Sequence, residues 1–452
     1  MRELLQTGAA LVLAFGLASH AAAGTVDALR EQALSSSEAY AILESLTTEI
    51  GARPAGSEAD ACAVAWAVAK FKALGYDRVT MEPVRFTAWR RGAESAEVTG
   101  PSAQRLAVTA LGGSVGTNGD LHADVVAFPS LPELQAASPE QVRGKIVFLS
   151  QHMERRRDGG GYADVLPMRS NGASIAARKG ASALLIRSLA TTDDRLPHTG
   201  SVIYDGGATI PAAAISGPDA DLLERLLLRG QPVQLRLNLQ STTLTDQLSY
   251  NVIGDITGRE LPQEVVMLSA HLDSWDLGTG AVDDGFGVAL TMAAGALIKR
   301  QPQAPRRTVR VVLFANEENG FDGARTYAAR LPSELACHRL MLESDWGAGR
   351  IYALRHPPAD TTLTKQMAQA LAPLGIALDG QAGTPGPDAR FLAERKVPWL
   401  QLAQDASALF DHHHSANDTL DKVDPAALAQ NTAAYAVVAG LAANAPATPC
   451  QP

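Results

Sequence analysis

The chain is short of cysteine, of charge blocks and, beyond its first residues, of long apolar runs. Only Cys62, Cys337 and Cys450 occur in 452 residues. None falls in a CxxC spacing, which excludes a thiolate metal site. In an oxidising compartment three cysteines allow one disulfide with one thiol left over, and the sequence leaves every pairing open. Lys and Arg total 39 against 48 Asp and Glu, spread without runs. The concentrated basic surface that a phosphate backbone requires is missing, so nucleic acid is excluded as a partner. After the N-terminus no stretch reads as long and apolar enough to cross a bilayer, so the mature chain is expected to be free of membrane. What is present is ordinary globular composition, 46% hydrophobic and 19% charged, with ample length for a large core.

Residues 1–23 read as a secretion signal: Arg2 is the basic start, Ala9 to Leu17 the apolar run, and Ala21-Ala22-Ala23 the small residues before cleavage. The apolar run is shorter than the roughly 20 residues a membrane span needs. A periplasmic or extracellular location is therefore expected.

The rest divides by rhythm. Residues 35–74 carry apolar residues at helical spacing up to Gly75, and Thr80 to Phe86 reads as a strand. Across about 100–245 short apolar strands, among them Ile146–Leu149 and Ala183–Ile186, alternate with Gly-, Asp- and Pro-rich turns. After Ser249, strand-like runs at Val265–Leu268, Val309–Phe314, Arg339–Leu342 and Val397–Leu400 alternate with helical stretches at Val288–Ile298 and Leu363–Leu374. That alternation predicts an α/β fold, with a mixed central sheet and helices on both of its faces. The expected parts are 24–100 and 246–452 as one catalytic domain and 101–245 as a β-rich insert.

Ligand sites in such sheets gather where strands end, and there the reactive residues fall. His271 and Asp273 follow one strand, Glu317-Glu318 a second, Asp345 a third, and His412-His413-His414 the last; Asp283-Asp284 sits in a glycine-flanked turn opening a helix. Each feature alone is usually structural, since Asp-Gly turns and solvated Glu pairs are common. Five together in one α/β half are not. Two zinc ions about 3.5–4 Å apart need one histidine and one carboxylate each, a bridging carboxylate and a shared water. Asp283, held short and rigid in its turn, suits the bridge. Of Glu317 and Glu318, one can bind metal while its neighbour takes a proton from the water.

These segments resemble the co-catalytic zinc aminopeptidase and glutamate-carboxypeptidase family. The matching stretches are HLDSWD, GAVDDGFG, ANEENG, LESD and HHSANDT, with further likeness at 51–57 and 110–116. The resemblance spans nearly the whole mature chain and implies the zinc exopeptidase fold with two Zn2+ per chain. It implies His271 and Asp345 on one ion, Glu318 and His414 on the other, Asp283 between them, and Glu317 as general base. It further implies that Asp273 hydrogen-bonds the His271 imidazole, that the peptide after Asp283 is cis, and that the middle segment is a protease-associated-type domain. The implied substrate is a dipeptide or short peptide with a free N-terminus, and the implied assembly a homodimer. Phe286 and Asp411-His412 depart from the family pattern beside the site.

Two competing readings follow from the same residues. Gly112-Gly113-Ser114-Val115-Gly116 matches the GxSxG of serine hydrolases, but a turn sequence follows where a nucleophile elbow needs a helix. A catalytically silent peptide-binding protein on the same fold is the other.

Overall fold

A computed structural model describes residues 26–100, 103–355, 362–446 and 450. The secretion signal read at 1–23 lies outside them. The central sheet has five strands: β1 (Arg78–Arg90), β2 (Thr242–Ile256), β3 (Leu261–His271), β4 (Arg307–Phe314) and β5 (His338–Glu343). Their order is β1-β2-β4-β3-β5; β3 runs parallel to β4 and β5, while β1/β2 and β2/β4 are antiparallel. The sheet is mixed, as expected.

Alternation along the strands sends side chains to two cores. Val266, Leu268 and Ala270 of β3 join one cluster with α1 (Glu58–Ala73), α3 (Phe286–Lys299) and α4 (Pro425–Asn444). Val265 and Met267 join the other, with Tyr327 and Leu392 from helices on the opposite face. Helices therefore cover both faces. The expectation that no later segment could span a bilayer needs correcting: 281–299 and 425–444 are long and apolar enough by composition. They are core helices, because a sheet covered on both faces demands helices that are apolar on most sides.

Residues 94–239 build a second, eight-stranded sheet, from Glu94–Val98 through to Gln234–Leu239. The expected β-rich character is only half of it. Helix α2 (Gly160–Arg178) covers one face and Gly217–Leu227 the other. Helix α2 escapes a sequence reading because it carries Gly161, Gly172 and an internal Pro167, which look like turn residues.

The two sheets are tied together beside the site. Trp275, from the loop after β3, sits in the second sheet's core against Trp89. Arg91 Nε lies 2.8 Å from Asp276 and the same side chain donates to Ala110 O. Among the expected strands, Val397–Leu400 forms only an isolated bridge at Trp399, and the strand itself is Gln401–Gln404. Cys337 and Cys450 form the disulfide, and Cys62 is exposed and free.

Candidate metal centre

The C-terminal ends of β3, β4 and β5 deliver the side chains. Strand β3 ends on His271, β4 runs into Asn316-Glu317-Glu318, and β5 leads to Asp345. Asp283 comes from the turn before α3, and the Asp283–Asp284 peptide is cis, as the resemblance implied. His414 arrives on the loop after Gln401–Gln404 with a φ of 60°.

Asp283 lies at the middle. Its Oδ1 is 2.9 Å from His271 Nε2, and its Oδ2 is 3.2 Å from His414 Nε2. Asp345 Oδ1 lies 3.7 Å from His271 Nε2, and Glu318 Oε2 lies 3.1 Å from His414 Nε2. Asp283, His271 and Asp345 thus form one compact group, and Asp283 with His413 and His414 a second, sharing the one aspartate. All five residues expected to hold metal are brought together, and Glu317 with them.

The donor chemistry fits divalent cations. Three carboxylates converge with neutralisable imidazoles in a nearly buried space, and Glu318 Oε1 is buried with no hydrogen-bond partner among the described residues. A buried carboxylate oxygen left bare costs free energy unless a cation faces it. Burial pushes the Glu317 carboxyl well above the usual range; His271 pulls against this, while Asp345 and Glu318 add to it. For Asp283 burial acts in the same direction, but hydrogen bonds to His271 and His414 outweigh it and hold the group well below its ordinary value.

Asp273 is placed differently from expectation. The His271 Nδ1–H donates to the main-chain oxygen of Asp273 at 3.0 Å, while the Asp273 carboxylate stands 3.9 Å from Nδ1. That carboxylate instead accepts the backbone N–H groups of Glu317 (3.0 Å) and Glu318 (3.4 Å). It orients the Glu-Glu turn, and its carbonyl orients the imidazole. Phe286 is fully buried in the core of the central sheet, and Asp411 is paired with Arg155 of the insert.

Several residues at the centre carried no sequence signal of a role. Arg53 is fully buried and donates to the carbonyls of Leu272, Thr279 and Gly280, fastening the loop between β3 and the Asp283 turn. Asp418 accepts from the backbone N–H of Val282 (2.6 Å) and of Asp283 (3.2 Å); burial first and Asp283 second push it up to about 7. Asp284 accepts from His271 N and Gly287 N, joining the strand end to the start of α3. Asp418 and Arg53 fell inside matched stretches, yet only their partners reveal what they do.

The insert also reaches the centre. Thr199 N donates to His414 O at 2.9 Å, His414 Nδ1 lies 3.3 Å from Thr199 O, and Ser201 donates to Glu318 O. Ser114, by contrast, is buried with its hydroxyl on Ala212 O at 3.1 Å, so the GxSxG motif presents no nucleophile.

Residues 251–439 match Peptidase family M28. The mouse protein carboxypeptidase Q is 35% identical over 409 residues, 90% of this chain and 85% of its own. A solved structure from Shewanella amazonensis, a peptidase M28 precursor, superposes with a TM-score of 0.92 at 46% identity, covering 96% of this chain and 99% of that one. The fold alone is shared with a zinc aminopeptidase from Bacillus subtilis, at 19% identity and a TM-score of 0.66 over 89% of this chain and 93% of that one. With three strand ends converging on a carboxylate-imidazole centre and a curated relative matched along most of both chains, this chain belongs to peptidase family M28, a family of zinc-dependent peptidases.

Proposed function

We propose that this metallo-exopeptidase hydrolyses dipeptides and short peptides with a free N-terminus, using two zinc ions per chain and Glu317 as general base. The observation that carries the proposal is Asp283, with one oxygen toward His271 and the other toward His414. His271 and Asp345 would hold one ion, His414 and Glu318 the other, and Asp283 would join them. When bound, such a pair supplies an acidified water and an electrophile for the scissile carbonyl. The chain's own residues do the rest. Asp273 fixes the Glu317-Glu318 turn, so that Glu318 faces His414 while Glu317 is free to act. Glu317 accepts the water proton as oxygen adds to the carbonyl carbon, and returns it to the leaving nitrogen as the C–N bond breaks.

Export belongs to the same proposal and is supported by the Cys337–Cys450 disulfide, which an oxidising compartment sustains. So do a protease-associated role for residues 101–245 and a homodimer, the latter testable by light scattering on the purified protein. The activity test uses mature protein, chelated and reloaded with zinc, on a free dipeptide and its N-acetylated twin. Zinc-dependent cleavage of the free dipeptide alone is the expected result. Equal cleavage of both would move the specificity to the carboxyl end, and cleavage of neither would favour a silent binding protein.

A further inference from the structure

His414 reaches the centre on a loop that the insert holds. At φ 60° it stands in the left-handed region, which a non-glycine residue keeps only where its surroundings fix it. Within 406–414 the hydrogen bonds along the chain are short turns, such as Asp411 N to Ala408 O and His413 N to Leu409 O. Among the described residues, main-chain atoms of this stretch that bond further away bond to the insert. Ala406 N donates to Arg157 O at 2.9 Å, Phe410 O accepts from Thr191 N at 3.1 Å, and His414 O accepts from Thr199 N at 2.9 Å. His198 Nδ1–H donates to His413 O at 2.6 Å. His414 Nδ1 faces the carbonyl of Thr199, which can only accept, so the proton sits on Nδ1 and Nε2 is left for metal.

The insert supplies these partners from the loops after Ile146–Leu149 and Ala183–Arg187. Arg155 joins both of them to the loop that carries His414. Its Nη1 and Nη2 donate to Asp411 Oδ2 and Oδ1 at 2.8 and 2.6 Å, a forked grip that fixes angle as well as distance. Nη2 also reaches Thr191 O at 2.8 Å, and Nη1 donates to Ser407 O. Thr191 Oγ1 closes the arrangement on Asp411 Oδ1 at 2.7 Å. Asp411 lies one helical turn of sequence before His414 and departs from the family pattern, so this grip belongs to the present chain. The Arg155 and Asp411 side chains are 45% and 22% exposed, so removing either strands no charge in a dry interior.

We propose that Arg155 is a positioning residue for the metal centre. Through Asp411 it holds, from the insert, the loop that presents His414, and so sets the affinity for the ion assigned to His414 and Glu318. The ion assigned to His271 and Asp345 does not depend on it, because β3 and β5 of the central sheet deliver those two ligands. This rests on the two-ion reading above. An arginine that touches no ligand acts only through what it orients, and losing such support weakens metal binding by about 10- to 100-fold.

The test titrates zinc into metal-free wild type, Arg155→Met, Asp411→Asn and the double variant, and records the melting temperature of each. Expected for Arg155→Met is one zinc affinity weakened by about 10- to 100-fold and the other within about twofold of wild type. The metal-free melting temperature stays where it was. Arg155→Lys, which keeps the charge without the fork, recovers part of the loss. The double variant binds no more weakly than Asp411→Asn alone, as expected of one shared contact. In a His414→Ala background, which keeps the ion at His271, Arg155→Met changes nothing. Two unchanged affinities in Arg155→Met would overturn the proposal. So would equal weakening of both with a lower melting temperature, the mark of a merely structural contact, or a further loss in the His414→Ala background. If wild type bound two zinc ions and cleaved no peptide, the peptidase reading would fail separately, and the affinities would still decide the role of Arg155.

Discussion

The two sheets of this molecule are built alike and end differently. In the central sheet, β4 is buried along its whole length, and in the second sheet Ile146–Leu149, Ala183–Arg187 and Ala212–Ile215 are buried just as completely. Both are covered by helices on two faces. The difference is in the residues just at or past the strand ends. The central sheet presents His271, Glu317-Glu318 and Asp345; the second presents Ser150, Ser188 and Ser216, all buried. Two of those hydroxyls are spent locally, Ser188 on Ile215 O and Ser216 on Asp219. A layered α/β architecture thus provides a place for chemistry, and only the residue types at the strand ends decide whether chemistry occurs. The second sheet contributes instead from its side, through Tyr162, Thr199 and Ser201.

The sharpest way to break this contrast is Glu317→Gln. Turnover should fall by about 10²- to 10⁴-fold with zinc content unchanged; near-normal rates would remove the strand-end carboxylate from the chemistry. Next in size is the disulfide, which closes 113 residues of the catalytic half and none of the second sheet. Cys337→Ser should cost about 2–5 kcal/mol in denaturant unfolding, with proteolytic nicking appearing first outside residues 94–239.

Acid separates the regions further. Burial, then Arg310, pushes His338 at the start of β5 down to about 4. The unfolded histidine binds its proton at higher pH than the folded one. The neutral form's stability is therefore fully present above about pH 6.5 and lost as pH falls toward about 4, about 3 kcal/mol in all. His338→Gln should flatten that slope in a pH series of melts; an unchanged slope would place the acid sensitivity elsewhere. The smallest effect is expected in the second sheet. Ser216 caps the helix Gly217–Leu227, and Ser216→Ala should cost about 1 kcal/mol and leave kcat where it was. A marked fall in kcat would show that the two sheets are coupled more tightly than their contacts indicate.

Much of the fold was legible because its signals are local. Runs such as Val309–Phe314 between turn residues announce buried strands, and the stretch after Gly285 announces a helix. Helix α2 was missed because its glycines and Pro167 imitate a loop, and 397–400 was misplaced by a few residues because the apolar run lies just before the paired strand, which begins at Gln401. At the site, residue types at strand ends pointed to metal, while Arg53 and Asp418 did not stand out, since a buried arginine and a buried aspartate look like any others in a sequence.

The amino-acid sequence by itself determined which side chains could bind metal, that they lie at strand ends, and that strand and helix alternate around them. Those properties depend on neighbours a few residues away. Tertiary structure alone decided that Cys337 pairs with Cys450, that two apolar helices are core, and that Asp273 orients a turn 44 residues distant through its carboxylate while its carbonyl holds His271. It alone set the His413 ring against His414, Phe410 and Tyr162, three residues drawn from both halves of the molecule. Direction and distance between residues far apart in the chain arise only when both sides of a core close together, and no local pattern encodes them.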